Sequence, residues 1–97
     1  MENYIMNYIE EVQDLLDDEL KMRGTYYEGL LDVYGLLVLT VGEKCTQKHI
    51  HDAWSVWQNK TMPEHRSLKP FEELTKEVQE LDEPYRKAVV KVVNKLK

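Results

Sequence analysis

The residues best suited to bind a ligand are concentrated between Lys44 and Lys69. This segment contains five basic and two acidic side chains, all three histidines and both tryptophans, whereas residues 1–43 contain ten acidic and two basic side chains. Tryptophan offers a flat apolar face and an N–H donor, and arginine or lysine can neutralise a phosphate. The composition favours a site for a flat, negatively charged molecule, and lysines spread over a solvated surface would give the same composition.

The two tryptophans lie on one stripe of a predicted helix, together with Ile50 and Ala53. Residues at this spacing share one helix face, and tryptophans on such a stripe most often belong to the core. We expect one of Trp54 and Trp57 to be in the core and the other to line a cleft. Arg66 and Lys69 in the following loop are the predicted phosphate contacts.

No set of residues points to catalysis or to a metal site. Cys45 precedes a predicted helix N-terminus, which lowers the pKa of a thiol, but no orienting residue or oxyanion hole accompanies Cys45 and His49. His49 and His51 are two residues apart, so on a helix they point in roughly opposite directions and do not share an ion. No glycine-rich phosphate loop is present. We therefore predict a protein that is not an enzyme, with no catalytic residue, metal or cofactor.

The elements that position these residues are predicted to be helices. The most apolar stretch is Tyr26 to Val41, which predicts a central helix that begins at a capping box of Thr25 and Glu28 and ends at Gly42. It is shorter than the about 20 apolar residues that span a membrane. A preceding helix from Asn3 to Arg23, ended by Gly24, would form a hairpin with it over residues 1–42.

The second half of the chain predicts three further helices. Thr46 is the expected N-cap of a helix that ends near Asn59, residues 60–69 form a loop, and a turn follows over residues 71–74. Thr75 caps a short helix, and Asp82 begins the last one. The 97 residues therefore predict a single all-α domain, a small orthogonal domain of four to five helices around the central apolar helix.

Charge and cysteine content restrict the partners and the compartment. The net charge of −5 argues against duplex nucleic acid, whose affinity depends on neutralising phosphates. The single cysteine and the absence of a basic and apolar leader after Met1 predict a cytoplasmic protein. We expect no membrane partner.

From Ile50 onward the chain resembles the repeat domain first named for ryanodine receptors, which also occurs in bacterial and phage proteins. The similarity rests on IHDAW (Ile50 to Trp54) and on HRSLKPFEEL (His65 to Leu74). The stretch from Leu30 to Trp57 is also similar to a group of small uncharacterised phage and actinobacterial proteins. Two departures stand out: only residues 55–64 separate the tryptophan helix from His65, and Arg66 replaces the proline that follows the histidine in the family.

The resemblance implies a non-catalytic helical module over residues 46–97 that has been linked to adenine nucleotides and, in bacteria, to nucleotide-signal sensing in conflict systems. It assigns Trp54 as the residue that stacks on a base. His51 and His65 fall on family positions that brace the loop or contact the ligand. The implied location is the cytoplasm of a bacterium or of a phage-infected host.

Two hypotheses follow. The first is a binding module for a nucleotide-like anionic small molecule that sequesters or senses a nucleotide signal. Its site residues would be Trp54, Trp57, His51, His65, Arg66 and Lys69. The second is an adaptor, or a self-assembling module, whose exposed aromatic patch docks a protein or a second copy of the chain.

Overall fold

The computed structural model describes residues 5–22 and 27–97, and these ranges are all-helical, which confirms the predicted fold class. The helices are α1 (Tyr8–Leu20), α2 (Leu30–Thr40), α3 (Gln47–Asn59), α4 (Lys76–Glu80) and α5 (Glu83–Lys95), with single 3-10 turns at Gly42–Lys44 and Phe71–Glu73. Within the described ranges, no helix has both the length and the apolar character that crossing a membrane requires.

The core lies between the four longer helices. Each of them contributes a side chain that is almost fully buried: Leu16, Tyr34, Ile50, Val89 and Val92. Burying one such side chain stabilises the fold by about 1.5–3 kcal/mol. Helix α2 packs against α1, α3 and α5, so it occupies the central position that its apolar sequence predicts.

Helix α2 is less buried than we expected for a helix that is apolar on all sides. Leu36 remains 58% exposed and Leu39 43% exposed on the side of α2 that no other described helix covers. They border a shallow groove with Ile9 of α1. Ile5 and Tyr8, near the start of α1, are also largely exposed. In the described ranges α1, α3 and α5 pack on α2, and α2 keeps one apolar strip in solvent.

Helix α1 begins later than predicted because a capping box fixes its start. The Asn7 side chain accepts a hydrogen bond from the Glu10 N–H, and the Glu10 carboxylate accepts one from the Asn7 N–H. The helix ends at Lys21, which adopts a left-handed backbone with φ 58°. The predicted helix limits at Asn3 and Arg23 and the predicted stop at Gly24 lie outside the described residues.

Helix α2 starts at Leu30, four residues after the predicted Tyr26. Gly29 precedes it with φ 90°, a conformation that glycine adopts without strain. Thr25, the predicted partner of Glu28 in a capping box, lies outside the described residues. The end of the helix agrees with the prediction, since Gly42 has φ 63° just beyond it.

The boundaries of the second half follow the sequence closely. Thr46 caps α3 and Thr75 caps α4, each by accepting a backbone N–H with its hydroxyl oxygen. Asp82 stands at the N-cap position of α5, but its carboxylate makes no capping hydrogen bond. The Asp82 carboxylate is therefore available for another contact.

Candidate functional site

A cavity of about 420 Å³ opens between α2, α3, α5 and the two segments that connect α3 to α5. This volume lies within the range of small-molecule sites. Its walls are mainly aromatic and aliphatic, and its polar groups come from two histidines, a serine, an aspartate and the tyrosine hydroxyls. The lining side chains are Tyr27, Leu30, Tyr34, His51, Trp54, His65, Ser67, Val78, Leu81, Asp82 and Tyr85.

Helix α3 supplies one wall of the cavity. Ile50 is fully buried and anchors the helix in the core, which turns the next part of the stripe, Trp54, toward the cavity mouth. The His51 ring stacks on the Trp54 ring with 5.7 Å between centroids, and the His65 ring meets Trp54 at 82° with 5.0 Å between centroids. The two histidines hold the indole in one orientation, so Trp54 forms a rigid surface.

His51 also fastens the loop of residues 60–69 to α3, and His65 makes a hydrogen bond within that loop. The His51 Nε2–H donates to the Lys69 carbonyl oxygen at 2.7 Å, and the Ser67 N–H donates to His65 Nδ1 at 3.0 Å. In the neutral form of each ring, these bonds fix which nitrogen carries the proton, because a carbonyl oxygen only accepts and an N–H only donates. His51 keeps Nδ1 as an acceptor and His65 keeps Nε2–H as a donor, and neither atom has a hydrogen-bond partner in the described ranges.

Asp82 is the only acidic side chain among the described residues that line the cavity. It is half-buried, and its carboxylate accepts no hydrogen bond from any residue that the structure describes. Burial raises the pKa of Asp82 to about 6, and the nearby His51 opposes this rise. A carboxylate in such surroundings gains from a ligand that donates hydrogen bonds.

Two tyrosines from other helices also line the cavity. Tyr34 of α2 and Tyr85 of α5 lie with their ring centroids 5.6 Å apart. Burial raises the pKa of the Tyr34 hydroxyl well above its usual value, and the proximity of Tyr85 and Asp82 adds to the effect. Tyr34 therefore stays neutral, as both donor and acceptor.

The structure brings three of the six predicted site residues together and leaves three outside. Trp54, His51 and His65 line the cavity, as the ligand-site hypothesis requires. Trp57 does not, because its indole packs beside Gly29 and donates from Nε1 to the Glu28 carbonyl oxygen at 3.1 Å. Its role is to fasten α3 to the start of α2.

The predicted phosphate contacts also lie outside the cavity. Lys69 is exposed and lines a separate depression with Asp52 and Pro70. Arg66 is exposed and stands in sequence between His65 and Ser67, which both line the cavity. The basic segment of the sequence therefore contributes no lysine or arginine to the described lining, in which the one formal charge is the negative charge of Asp82.

Trp54 and Trp57 do not form the exposed aromatic patch on which the adaptor hypothesis was based. Both rings are half-buried and pack against the core cluster. The exposed apolar side chains of α1 and α2 lie on a different part of the molecule.

The remaining candidates for chemistry have structural roles. Burial raises the pKa of the Cys45 thiol to about 11, which opposes the lowering expected beside a helix N-terminus. His49 Nδ1 accepts a hydrogen bond from the Thr46 N–H at 2.9 Å and completes the capping box of α3. Across residues 5–22 and 27–97, no three side chains of His, Cys, Asp or Glu converge in a way that could hold a metal ion.

Asp82, Tyr34 and Tyr85 were not among the predicted site residues. Tyr34 lies in the predicted apolar helix, Asp82 stands at a predicted helix start, and Tyr85 lies in the predicted last helix. One signal was present: a tyrosine within an otherwise aliphatic core helix has a hydroxyl that must reach a polar group or water. Asp82, whose charge acts on that hydroxyl, is 48 residues away in sequence, so only the fold shows that the two are near each other.

The comparisons with known proteins give one match. The family model described as "Domain of unknown function (DUF7701)" covers residues 3–94. No curated protein and no solved structure matches the chain. Since the matched region is nearly the whole sequence, the chain belongs to the family of the domain of unknown function DUF7701.

Proposed function

We propose that this protein is a non-catalytic binding module whose cavity holds the flat ring of a nucleotide-like small molecule. The observation that carries the proposal is the convergence of Trp54, His51 and His65 with Tyr34, Tyr85 and Asp82 around one 420 Å³ space. Aromatic walls with a few placed polar groups are the usual composition of a small-molecule site. A purine is flat, apolar on its faces and polar on its edges, so it matches this composition.

The arrangement supports binding rather than turnover. Among the described residues, the cavity has no nucleophile hydrogen-bonded to a base, because Cys45 is buried elsewhere and Ser67 binds His65 only through its backbone N–H. Both histidines have one ring nitrogen occupied by the loop. We assign them the double role of bracing the loop and presenting their other nitrogen to the ligand.

The phosphate of a nucleotide would remain at the mouth of the cavity. Asp82 inside the cavity would repel it, and Arg66 is an exposed cation between two lining residues. We therefore assign Arg66 to the phosphate and give Lys69 no direct role. A protein that holds a nucleotide without altering it is suited to sensing or to sequestering a signal.

The test is a matched pair of tryptophan substitutions on α3. Trp54→Leu removes the ring surface of the cavity, and Trp57→Leu removes an equally half-buried indole that does not line it. Affinity is measured by calorimetry against a panel of purine and pyrimidine mononucleotides and cyclic dinucleotides, with thermal unfolding recorded for each variant. We expect Trp54→Leu to lower the affinity at least about tenfold more than Trp57→Leu does. Stacking on one aromatic residue contributes about 1–3 kcal/mol.

Equal losses in both variants would show that the indoles act only through stability, and no binding by the unaltered protein to any member of the panel would refute the proposal. Leu81→Trp provides an independent check. Leu81 is 67% exposed and lines the cavity, so a larger side chain there should block the ligand without disturbing the core. Val56→Trp, at an exposed position of α3 that does not line the cavity, is its control.

A further inference from the structure

The cavity contains a specific combination of hydrogen-bonding groups. Asp82 offers two carboxylate oxygens that accept no bond from the described residues, and His65 offers an Nε2–H whose partner nitrogen is already bound to the Ser67 N–H. A carboxylate accepts two parallel N–H donors well, and an imidazole N–H donates to a carbonyl oxygen. The matching ligand edge has two adjacent N–H donors beside a carbonyl.

Among the common nucleobases, guanine has this edge. Its N1–H and exocyclic 2-amino group are adjacent donors, and its O6 is an acceptor. Adenine has a ring-nitrogen acceptor, N1, beside its amino group. The lone pair of N1 would face a carboxylate oxygen, and the two would repel each other. Uracil places its single N–H between two carbonyl oxygens, which a carboxylate repels.

The composition of the walls argues for a ring with polar edges over a quaternary ammonium ion. Aromatic side chains around a carboxylate can also hold an alkylated ammonium group. Such a group donates and accepts no hydrogen bonds, so His65 Nε2–H and His51 Nδ1 would be left unpaired in contact with it. Leaving polar groups desolvated and unpaired costs about 1–3 kcal/mol each. A purine with a carbonyl edge accepts from His65 Nε2–H, and the cavity volume of about 420 Å³ exceeds what a small ammonium group fills.

We infer that Asp82 is the specificity-determining residue of this site and that it selects a guanine base, or a related 2-amino-4-oxo heterocycle, over adenine. The inference rests on the proposed function, because it names the ligand class of the same cavity. Trp54 supplies the stacking surface, the Asp82 carboxylate accepts from N1–H and the 2-amino group, and His65 Nε2–H donates to O6. This selectivity differs from the adenine preference that the resemblance to ryanodine receptor repeats implies.

The experiment compares GMP, IMP and AMP on the unaltered protein by calorimetry. The three nucleotides carry the same phosphate, and IMP differs from GMP only by the missing 2-amino group. We expect GMP to bind at least about tenfold more tightly than AMP, with IMP between them, since a bidentate contact of this kind discriminates by about 1–3 kcal/mol, or about 5- to 150-fold.

Asp82→Asn should remove the preference. The amide keeps the size of the side chain but presents one acceptor and one donor group, so GMP affinity should fall about tenfold and AMP affinity should stay the same or rise. Glu80→Gln is the matched control. It removes an equivalent charge from an exposed residue next to α5 that does not line the cavity, and it should leave all three affinities unchanged.

The outcomes separate this inference from the proposed function. Equal binding of the three nucleotides, or tighter binding of AMP, overturns the role of Asp82 while the binding module stands. A GMP preference that survives in Asp82→Asn also overturns it. Absence of binding by all three purines overturns the inference, and the proposed function falls with it only when the wider panel is also not bound.

Discussion

Replacing Asp82 by asparagine should stabilise the fold at neutral pH and leave it nearly unchanged in acid. Asp82 has its pKa raised by burial from 3.8 to about 6. A carboxyl group whose pKa is higher in the folded protein binds its proton more tightly there, so the folded state loses stability as the pH rises from about 4 to about 6. Above this range the full penalty is present, and below it the penalty is absent.

The magnitude follows from the two pKa values. At about 1.4 kcal/mol for each pH unit between them, the penalty is at most about 3 kcal/mol at pH 7. Because Asp82 is only half-buried, solvent screens part of it, and we expect about 1–2 kcal/mol. The lost negative charge at the N-terminus of α5 opposes the gain by about 0.5 kcal/mol. The burial effect is larger, so the net change at pH 7 is stabilising by about 1 kcal/mol.

The assay is urea unfolding of the unaltered protein, Asp82→Asn and Glu80→Gln at several values between about pH 4 and about pH 8. We expect the free energy of unfolding of Asp82→Asn to exceed that of the unaltered protein by about 1 kcal/mol at pH 7 and to converge with it near pH 4. In a domain of this size the neutral-pH difference corresponds to about 4–8 °C in Tm. His51 of α3, which lowers the pKa of Asp82, is unchanged in all three proteins.

A difference of the same size at both ends of the pH range would refute the reasoning, because a change in packing does not depend on protonation. A destabilised Asp82→Asn at pH 7 would show that the carboxylate has a favourable partner in the folded protein. Glu80 is exposed, so Glu80→Gln should follow the unaltered protein over the whole range.

Two further predictions concern glycine and cysteine. Gly35→Ala should stabilise the protein by about 1 kcal/mol in urea unfolding, since an added Cβ would make ordinary contacts of 3.6 Å with Val12 and 3.7 Å with Gln13. Gly29→Ala should destabilise the protein, because Gly29 has φ 90° and the added Cβ would lie 3.3 Å from the Trp57 ring. A Gly29→Ala variant more stable than Gly35→Ala would contradict the packing of α1 and α3 on α2. Cys45 is 4% exposed with a pKa raised by burial to about 11, so a thiol reagent at pH 8 should label it at the rate of unfolding. Labelling as fast as that of free cysteine would show that the region around Cys45 opens in the native state.

The sequence alone determined the helical class and most helix limits, because these depend on interactions between residues three or four positions apart. The caps at Thr46 and Thr75, the buried stripe of α3 and the positive φ of Gly42 all follow from such local rules. The start of α1 was wrong because the Asn7 and Glu10 capping box competes with an earlier start, although this signal was also local.

Part of the candidate site could also be predicted. Trp54, His51 and His65 come from a short stretch in which helical spacing, a loop and a family resemblance point to the same place, and the structure brings them to one cavity. Trp57 lies outside the cavity because two neighbours on one stripe can contact different elements. The Trp57 indole packs beside Gly29, at the start of α2, whereas Trp54 lines the cavity. This difference depends on how α2 and α3 pack, which no local sequence pattern contains.

Only the tertiary structure decided the charge of the site. The sequence placed a basic segment around the tryptophans, yet the charged side chain that lines the cavity with Trp54 and Tyr34 is Asp82, from a helix start far along the chain. Net charge along a sequence counts long lysine and arginine side chains that extend into solvent. A cavity is formed by the inward side chains of helices distant in sequence, so its polarity depends on how those helices pack.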